Sequence, residues 1–131
     1  DCCIISFGRM LNTAVRTARM LSKEGLEACV VNARVLKPLD QSLLHDLSTR
    51  INRWITLEDN IIQGGFGSSI TEFVMSCRLP VTVLNLGIND SFIPHGSVDR
   101  IIKELKLDPP SVAFAIKKFL CDFVKESYVS Y

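Results

Sequence analysis

Glu58 and Asp59 stand side by side, followed closely by Gly64-Gly65-Phe66-Gly67 and the hydroxyl pair Ser68-Ser69. Carboxylates so placed can move protons or accept backbone N–H groups. Glycines let another chain or a ligand approach the backbone, and a helix start offers N–H groups to an anion. Neighbouring side chains on an extended segment point to opposite sides, so Glu58 and Asp59 do not readily share a proton as a catalytic dyad. One of the two is expected to turn inward and cap N–H groups of the glycine loop. The remaining candidates are dispersed. His95 and Gly96, with Asp90 just upstream, fall in an irregular stretch where a histidine titrating near neutrality has functional potential. Arg34 follows an apolar run and can grip a carboxylate. No serine or cysteine nucleophile is paired to His95 by spacing.

Alternating apolar periods supply the elements that would position these residues. The run from Cys2 to Phe7 reads as a strand. Leu11, Ala14, Val15, Ala18 and Leu21 then recur at helical spacing until Gly25. Ala28 to Val31 reads as a second strand. Asp40 is expected to cap a helix whose entry is stapled by Leu39 and Leu44, with Leu43 and Leu47 in its buried stripe. Arg53 to Leu57 has strand composition and is expected to end at Glu58. Ser69 and Glu72 have capping-box spacing, predicting a third helix that buries Ile70, Phe73, Val74 and Cys77 and breaks at Pro80. Val81 to Leu86 reads as a fourth strand. Ser97 is expected to cap a helix over Val98 to Leu105. A last helix capped by Asp108 opens at Pro109 and buries Val112, Ile116, Phe119, Leu120 and Phe123. Strands and helices in this alternation predict an α/β fold with a mainly parallel sheet.

The domain is expected to cover residues 1–124, with 125–131 a partly mobile tail. A chain of 131 residues makes one domain with a substantial core. With 15 basic against 14 acidic residues and no Lys/Arg cluster, neither nucleic acid nor an anionic membrane is an expected partner. Apolar residues make up 47%, yet no apolar run approaches the roughly 18 residues of a membrane span. The five cysteines lack C-x-x-C or metal-ligand spacing, which suits reduced thiols in a reducing compartment. Asp1 leads straight into a strand, and the chain is expected to be a piece of a longer protein.

Gly65-Phe66-Gly67 begins a dinucleotide-binding pattern, but Ile70 occupies the third glycine position and the loop follows the third strand, which argues against such a site. Two readings stay open: a tight turn packed against a neighbouring domain or subunit, and an anion at the Ser68-Ser69 helix start.

The ordered set Ala33-Arg34, Lys37-Pro38-Leu39-Asp40, Thr56-Leu57-Glu58-Asp59-Asn60, Gly64-Gly65-Phe66-Gly67-Ser68, Val83-Leu84-Asn85-Leu86-Gly87, Asp90, Phe92-Ile93-Pro94 and Gly96 closely resembles the C-terminal domain of the 1-deoxy-D-xylulose-5-phosphate synthases. The resemblance runs from about Cys3 to Leu120. More loosely, the plan is similar to the last domain of transketolases and of 2-oxo acid dehydrogenase β subunits. Asp59 replaces the glutamate common in the family, Asn89 stands where proline is frequent, and position 95 is not always histidine.

The resemblance implies a three-layer α/β/α sandwich around a five-stranded mixed sheet whose first strand runs antiparallel. It implies a homodimeric parent that uses thiamine diphosphate and Mg2+ to decarboxylate pyruvate and join the two-carbon unit to glyceraldehyde 3-phosphate, feeding isoprenoid, thiamine and pyridoxal synthesis. Such a parent works in bacterial cytosol or a plastid-type organelle. The cofactor motif of that family begins Gly-Asp-Gly, and no glycine of this chain precedes an aspartate. No catalytic, cofactor or metal residue is therefore expected here. Arg34, Glu58, Asp59, Gly64, Gly65, Gly67, Ser68, Ser69, Asp90, His95 and Gly96 become candidates for an interdomain surface or an anion site, the partners being the N-terminal and central domains of the same enzyme. The alternatives are a 2-oxo acid dehydrogenase β or transketolase domain docking a partner subunit, and a free-standing domain binding a phosphorylated metabolite.

Overall fold

The computed structural model of the chain describes residues 1–34, 38–90 and 95–129. Its elements follow in the order β1 (Cys2–Ser6), α1 (Met10–Lys23), β2 (Ala28–Asn32), α2 (Gln41–Arg50), β3 (Arg53–Ile61), α3 (Phe66–Ser76), β4 (Thr82–Ile88), α4 (Val98–Glu104) and α5 (Pro109–Val129). The strands form one sheet in the order β2-β1-β3-β4, with every neighbouring pair parallel. The expected five-stranded mixed sheet is thus corrected, among the described residues, to four parallel strands. The chain's first strand is central, flanked by β2 and β3. Its unbroken Cys2-Cys3-Ile4-Ile5 run suits that place, because a central parallel strand is covered on both faces, and all five of its residues are buried.

Successive β1 side chains enter opposite halves of the core. Cys2 and Ile4 join Ile55 and Leu57 of β3 under α1 and α5, with Met10, Ala14, Leu21, Val112 and Ile116. Cys3 and Ile5 join Trp54 under α2 and α3, with Leu44, Leu47, Phe66, Ile70 and Phe73. Helices on both faces make the three layers that the resemblance implies. Gly25 (φ +80°) closes α1 in the left-handed region as expected, its N–H donating to Ser22 O while Leu26 N–H donates to Leu21 O.

Several local expectations hold and others move. Asp40 accepts from Leu43 N and Ser97 from Arg100 N, each at a helix start. Leu43 itself is exposed at 38%, so Leu44, Leu47 and Ser48 form the buried stripe of α2. Cys77 is exposed just beyond α3. Asp108 precedes α5, but its Oδ1 is buried without a hydrogen bond; Pro109 and Pro110 fill the first two helical positions and bring no N–H. α5 continues through Lys125 to Val129. Lys37, Phe92-Ile93-Pro94, the end of the tail at 130–131 and the side chain of Phe123 lie outside what is described. Among the described residues no helix is long and apolar enough to cross a membrane.

The only tryptophan, Trp54, is fully buried and donates its indole N–H to Ile51 O at 2.8 Å. Its emission is expected to be blue-shifted and to move red in one step with denaturant. Ile55→Ala, beside it on the strand but in the other half of the core, is expected to lower stability by about 2–5 kcal/mol, read as a shift of that midpoint.

Candidate functional site

Because all four strands are parallel, their carboxyl ends share one edge, the usual address of function in an open α/β sheet. Every sequence candidate falls along it. Arg34 follows β2, Glu58 and Asp59 belong to the last part of β3, Gly64 to Ser69 carry β3 into α3, and Asp90, His95 and Gly96 lie between β4 and α4.

β3 does not stop at Glu58; it continues to Ile61 through an irregularity. Leu57 pairs with Leu86 and Ile61 with Ile88, so three residues, Glu58, Asp59 and Asn60, face the single Gly87. A Cβ on Gly87 would stand 3.0 Å from Asn60 O and from Glu58 Cγ, so glycine is what lets the bulge lean across β4.

Glu58 turns inward and is wholly buried. Its Oε2 accepts Phe66 N–H at 3.0 Å and its Oε1 accepts Gly67 N–H at 2.9 Å. The carboxylate thus occupies the positive end of the α3 dipole and satisfies two donors that a helix start leaves unpaired. The helix begins at Phe66 with Gly65 as its N-cap, four residues before Ser69, the N-cap of the predicted capping box. Ser69 is therefore already helical, and its hydroxyl donates to Gly65 O at 3.3 Å, while Ser68 Oγ donates to Ile62 O at 2.6 Å. A carboxylate eight residues upstream does the capping that local spacing assigned to Ser69.

The glycines have a reason internal to the domain. A Cβ on Gly65 would lie 2.5 Å from Glu58 Oε2 and from Ile61 O. One on Gly67 would lie 2.5 Å from Thr56 Oγ1 and 2.7 Å from Asn85 Oδ1. Gly64 has φ +71° and supplies the turn. At Gly65 and Gly67, then, the close approach is made by the domain's own polar side chains.

Those side chains form a chain of bonds that sequence reasoning missed. Thr56 Oγ1 donates to Asn85 Oδ1 at 2.6 Å, Asn85 Nδ2 to Thr71 Oγ1 at 3.0 Å, and Thr71 Oγ1 to Gly67 O at 3.0 Å. The signal was the strand's period of two. Trp54 faces α3, so Thr56 and Glu58 share its face, and a buried polar pair there needs partners from the helix.

Asp59 diverges from Glu58, as expected, and accepts from Arg9 Nη2 at 2.8 Å. With Arg9 60% and Asp59 28% exposed, this pair is a weak surface tether. Arg34, Gly64, Asp90, His95 and Gly96 are exposed. Arg34 is not brought to Asp90 or His95: β2 and β4 are opposite edges of the sheet, about 14 Å apart at three strand spacings. Arg34 borders an apolar cavity of about 200 Å³ with Ile5, Val31, Leu39, Leu44 and Phe66. Among the described residues no three of His, Cys, Asp and Glu are grouped to hold a metal ion. The carboxylate that could act as a proton carrier is sealed against a helix, and it takes the Phe66 and Gly67 N–H groups at that helix start.

The family described as transketolase, C-terminal domain, matches residues 1–112. The sequence is 40% identical over 120 residues to the 1-deoxy-D-xylulose-5-phosphate synthase of Aquifex aeolicus, covering 92% of this chain and 19% of that protein. It is 41% identical over 118 residues to the same enzyme of Prochlorococcus marinus, covering 90% and 18%. The chain therefore spans about a fifth of the length of these curated relatives. Among solved structures it resembles a split-gene transketolase, described as an inactive β4 tetramer, with a TM-score of 0.83 and 31% identity over 90% of this chain and 38% of that one. The transketolase of Pichia stipitis, at 18% identity, shares the fold with a TM-score of 0.66 over 95% of this chain and 17% of its own.

Gly67→Ala provides a sharp test of the packing. In an ordinary helix alanine is better than glycine by about 1 kcal/mol. Here the substitution is expected to destabilise instead, and urea titration would read the reversed sign. Glu58→Gln removes one acceptor and sets an NH2 against a backbone N–H, with an expected loss of about 1.5–3 kcal/mol. Arg9→Ala is expected to cost about 1 kcal/mol or less.

Proposed function

Since the chain belongs to the transketolase C-terminal domain family, we propose that it is the third, C-terminal domain of a 1-deoxy-D-xylulose-5-phosphate synthase, serving that enzyme by packing rather than by chemistry. The observation that carries this reading is the 40% identity to such a synthase over 92% of the chain, matched to only 19% of the relative's length. The parent would decarboxylate pyruvate and join the two-carbon unit to glyceraldehyde 3-phosphate. Thiamine diphosphate with Mg2+ does not fit the described residues of this domain. The described acidic, histidine and cysteine side chains form no ligand group, and the α3 donors suited to a diphosphate already meet Glu58. In this reading the cofactor is held by the other two domains, and the isolated third domain is inert.

The edge supports an interdomain role through a division of labour. Glu58, Gly65, Gly67 and Gly87 hold the β3–α3 junction in shape from inside. Arg34, Gly64, Asp90, His95 and Gly96 are left outward along the same edge. They are the residues that would touch the N-terminal and central domains or the dimer partner, with Arg34 at one side of the sheet seeking an acidic group and Asp90 at the other a basic one.

Incubating the chain alone with pyruvate, glyceraldehyde 3-phosphate, thiamine diphosphate and Mg2+ is expected to release no CO2; turnover would overturn the reading. In the full-length parent, Arg34→Glu is expected to loosen the domain against its neighbours, seen as earlier proteolytic release of this segment. The same substitution should leave the melting temperature of the isolated chain within a degree or so, as is usual for an exposed site.

A further inference from the structure

Cys3 of β1 and Cys29 of β2 are register partners on adjacent parallel strands. Cys3 belongs to the core half under α2 and α3, and alternation along β2 sets Cys29 on the same face as Val31, which packs against that half. Neighbouring strands lie about 4.8 Å apart, within the roughly 4.4–6.8 Å between Cα atoms that a disulfide spans. Cys3 is fully buried, whereas Cys29, on an edge strand, is exposed.

We propose that Cys3 and Cys29 form a peroxide-reactive dithiol, with Cys29 the entry point for a small hydroperoxide and Cys3 the resolving thiol. The Cys29 sulfur attacks one oxygen of hydrogen peroxide, the O–O bond breaks, water leaves and Cys29 becomes a sulfenic acid. The Cys3 sulfur then attacks the Cys29 sulfur, the S–O bond breaks as the S–S bond forms, and the Cys3 proton departs with the hydroxyl as a second water. Two thiols are oxidised to one disulfide, and one peroxide is reduced to two waters.

Access sets the order of the steps. Burial, reinforced by the neighbouring Cys29, pushes the Cys3 thiol up, so it stays protonated and does not meet the oxidant directly. Cys2 is no substitute, because it faces the opposite half of the core and is paired in register with Ala28. Cys77 follows α3 and Cys121 lies on α5, in the layers on the two opposite faces of the sheet.

The test is treatment of the reduced chain with hydrogen peroxide, capping of remaining thiols with N-ethylmaleimide, tryptic digestion and mass spectrometry. The expected product joins the peptide holding Cys2 and Cys3 to the one holding Cys29 and is lighter by two hydrogens than the two together, with fragmentation placing the bond on Cys3. Cys29→Ser should abolish it, and Cys3→Ala should leave a Cys29 sulfenic acid that dimedone captures. Circular dichroism of both variants guards against misfolding. A bond on Cys2, a bond only to Cys77 or Cys121, or Cys29 carried to sulfinic acid in the unmutated chain while Cys3 stays free would overturn the proposal.

Discussion

A fully buried carboxylate bound to the first turn of a helix is the constraint around which the β3–α3 junction is arranged. Glu58 cannot be left without partners in that position, because an isolated buried charge costs far more than any packing gain would return. It finds them in the N–H groups of Phe66 and Gly67 and in the helix dipole behind them. That requirement sets where α3 begins and calls for side-chain-free positions at 65 and 67. It also goes with the β3 bulge, since the strand must deliver Glu58 under the helix while Gly87 gives way beneath it. Thr56, Asn85 and Thr71 extend the same polar seam across β3, β4 and α3. A buried network satisfied at each of these links favours one register of strand against helix over its neighbours.

This arrangement gives a loop with the residue types of an active site a structural use inside the domain. An acid, three glycines and two hydroxyls are what a phosphate or proton-transfer site would use, yet their donors and acceptors are turned on one another. What remains exposed is the outer rim of the same edge, with Arg34 at one side of the sheet and Asp90 and His95 at the other. A rim of that sort is suited to broad contact with protein. The domain itself matches about a fifth of its relatives' length.

Much of the fold was legible because strong local signals agreed with the global packing. The apolar run at Cys2 to Ile5, the Asp40 and Ser97 caps and the Gly25 stop each act over a few residues and needed no distant partner. The misplaced helix start shows where such reading ends. Ser69 and Glu72 carry the spacing of a capping box, but the donors of α3 were claimed by Glu58, whose approach depends on strand order and on the bulge. The four strands read from the apolar periods are the four of the sheet among the described residues, whereas the fifth strand and the antiparallel sense came from the resemblance alone, because pairing at a sheet edge is not set by the periodicity of any segment.

The amino-acid sequence by itself determined the alternation of strands and helices, the inward turn of one member of the acidic pair and the lack of a thiamine diphosphate motif, because each depends on period, neighbouring geometry or residue identity. Only the tertiary structure decided that Glu58 is the inward one, that Gly65 and Gly67 make room for Glu58, Thr56 and Asn85 instead of for a ligand, and that Cys3 meets Cys29. Those pairings join residues far apart in the chain, and they exist only once β1, β2, β3 and β4 take their order in the sheet and α3 is laid across its face.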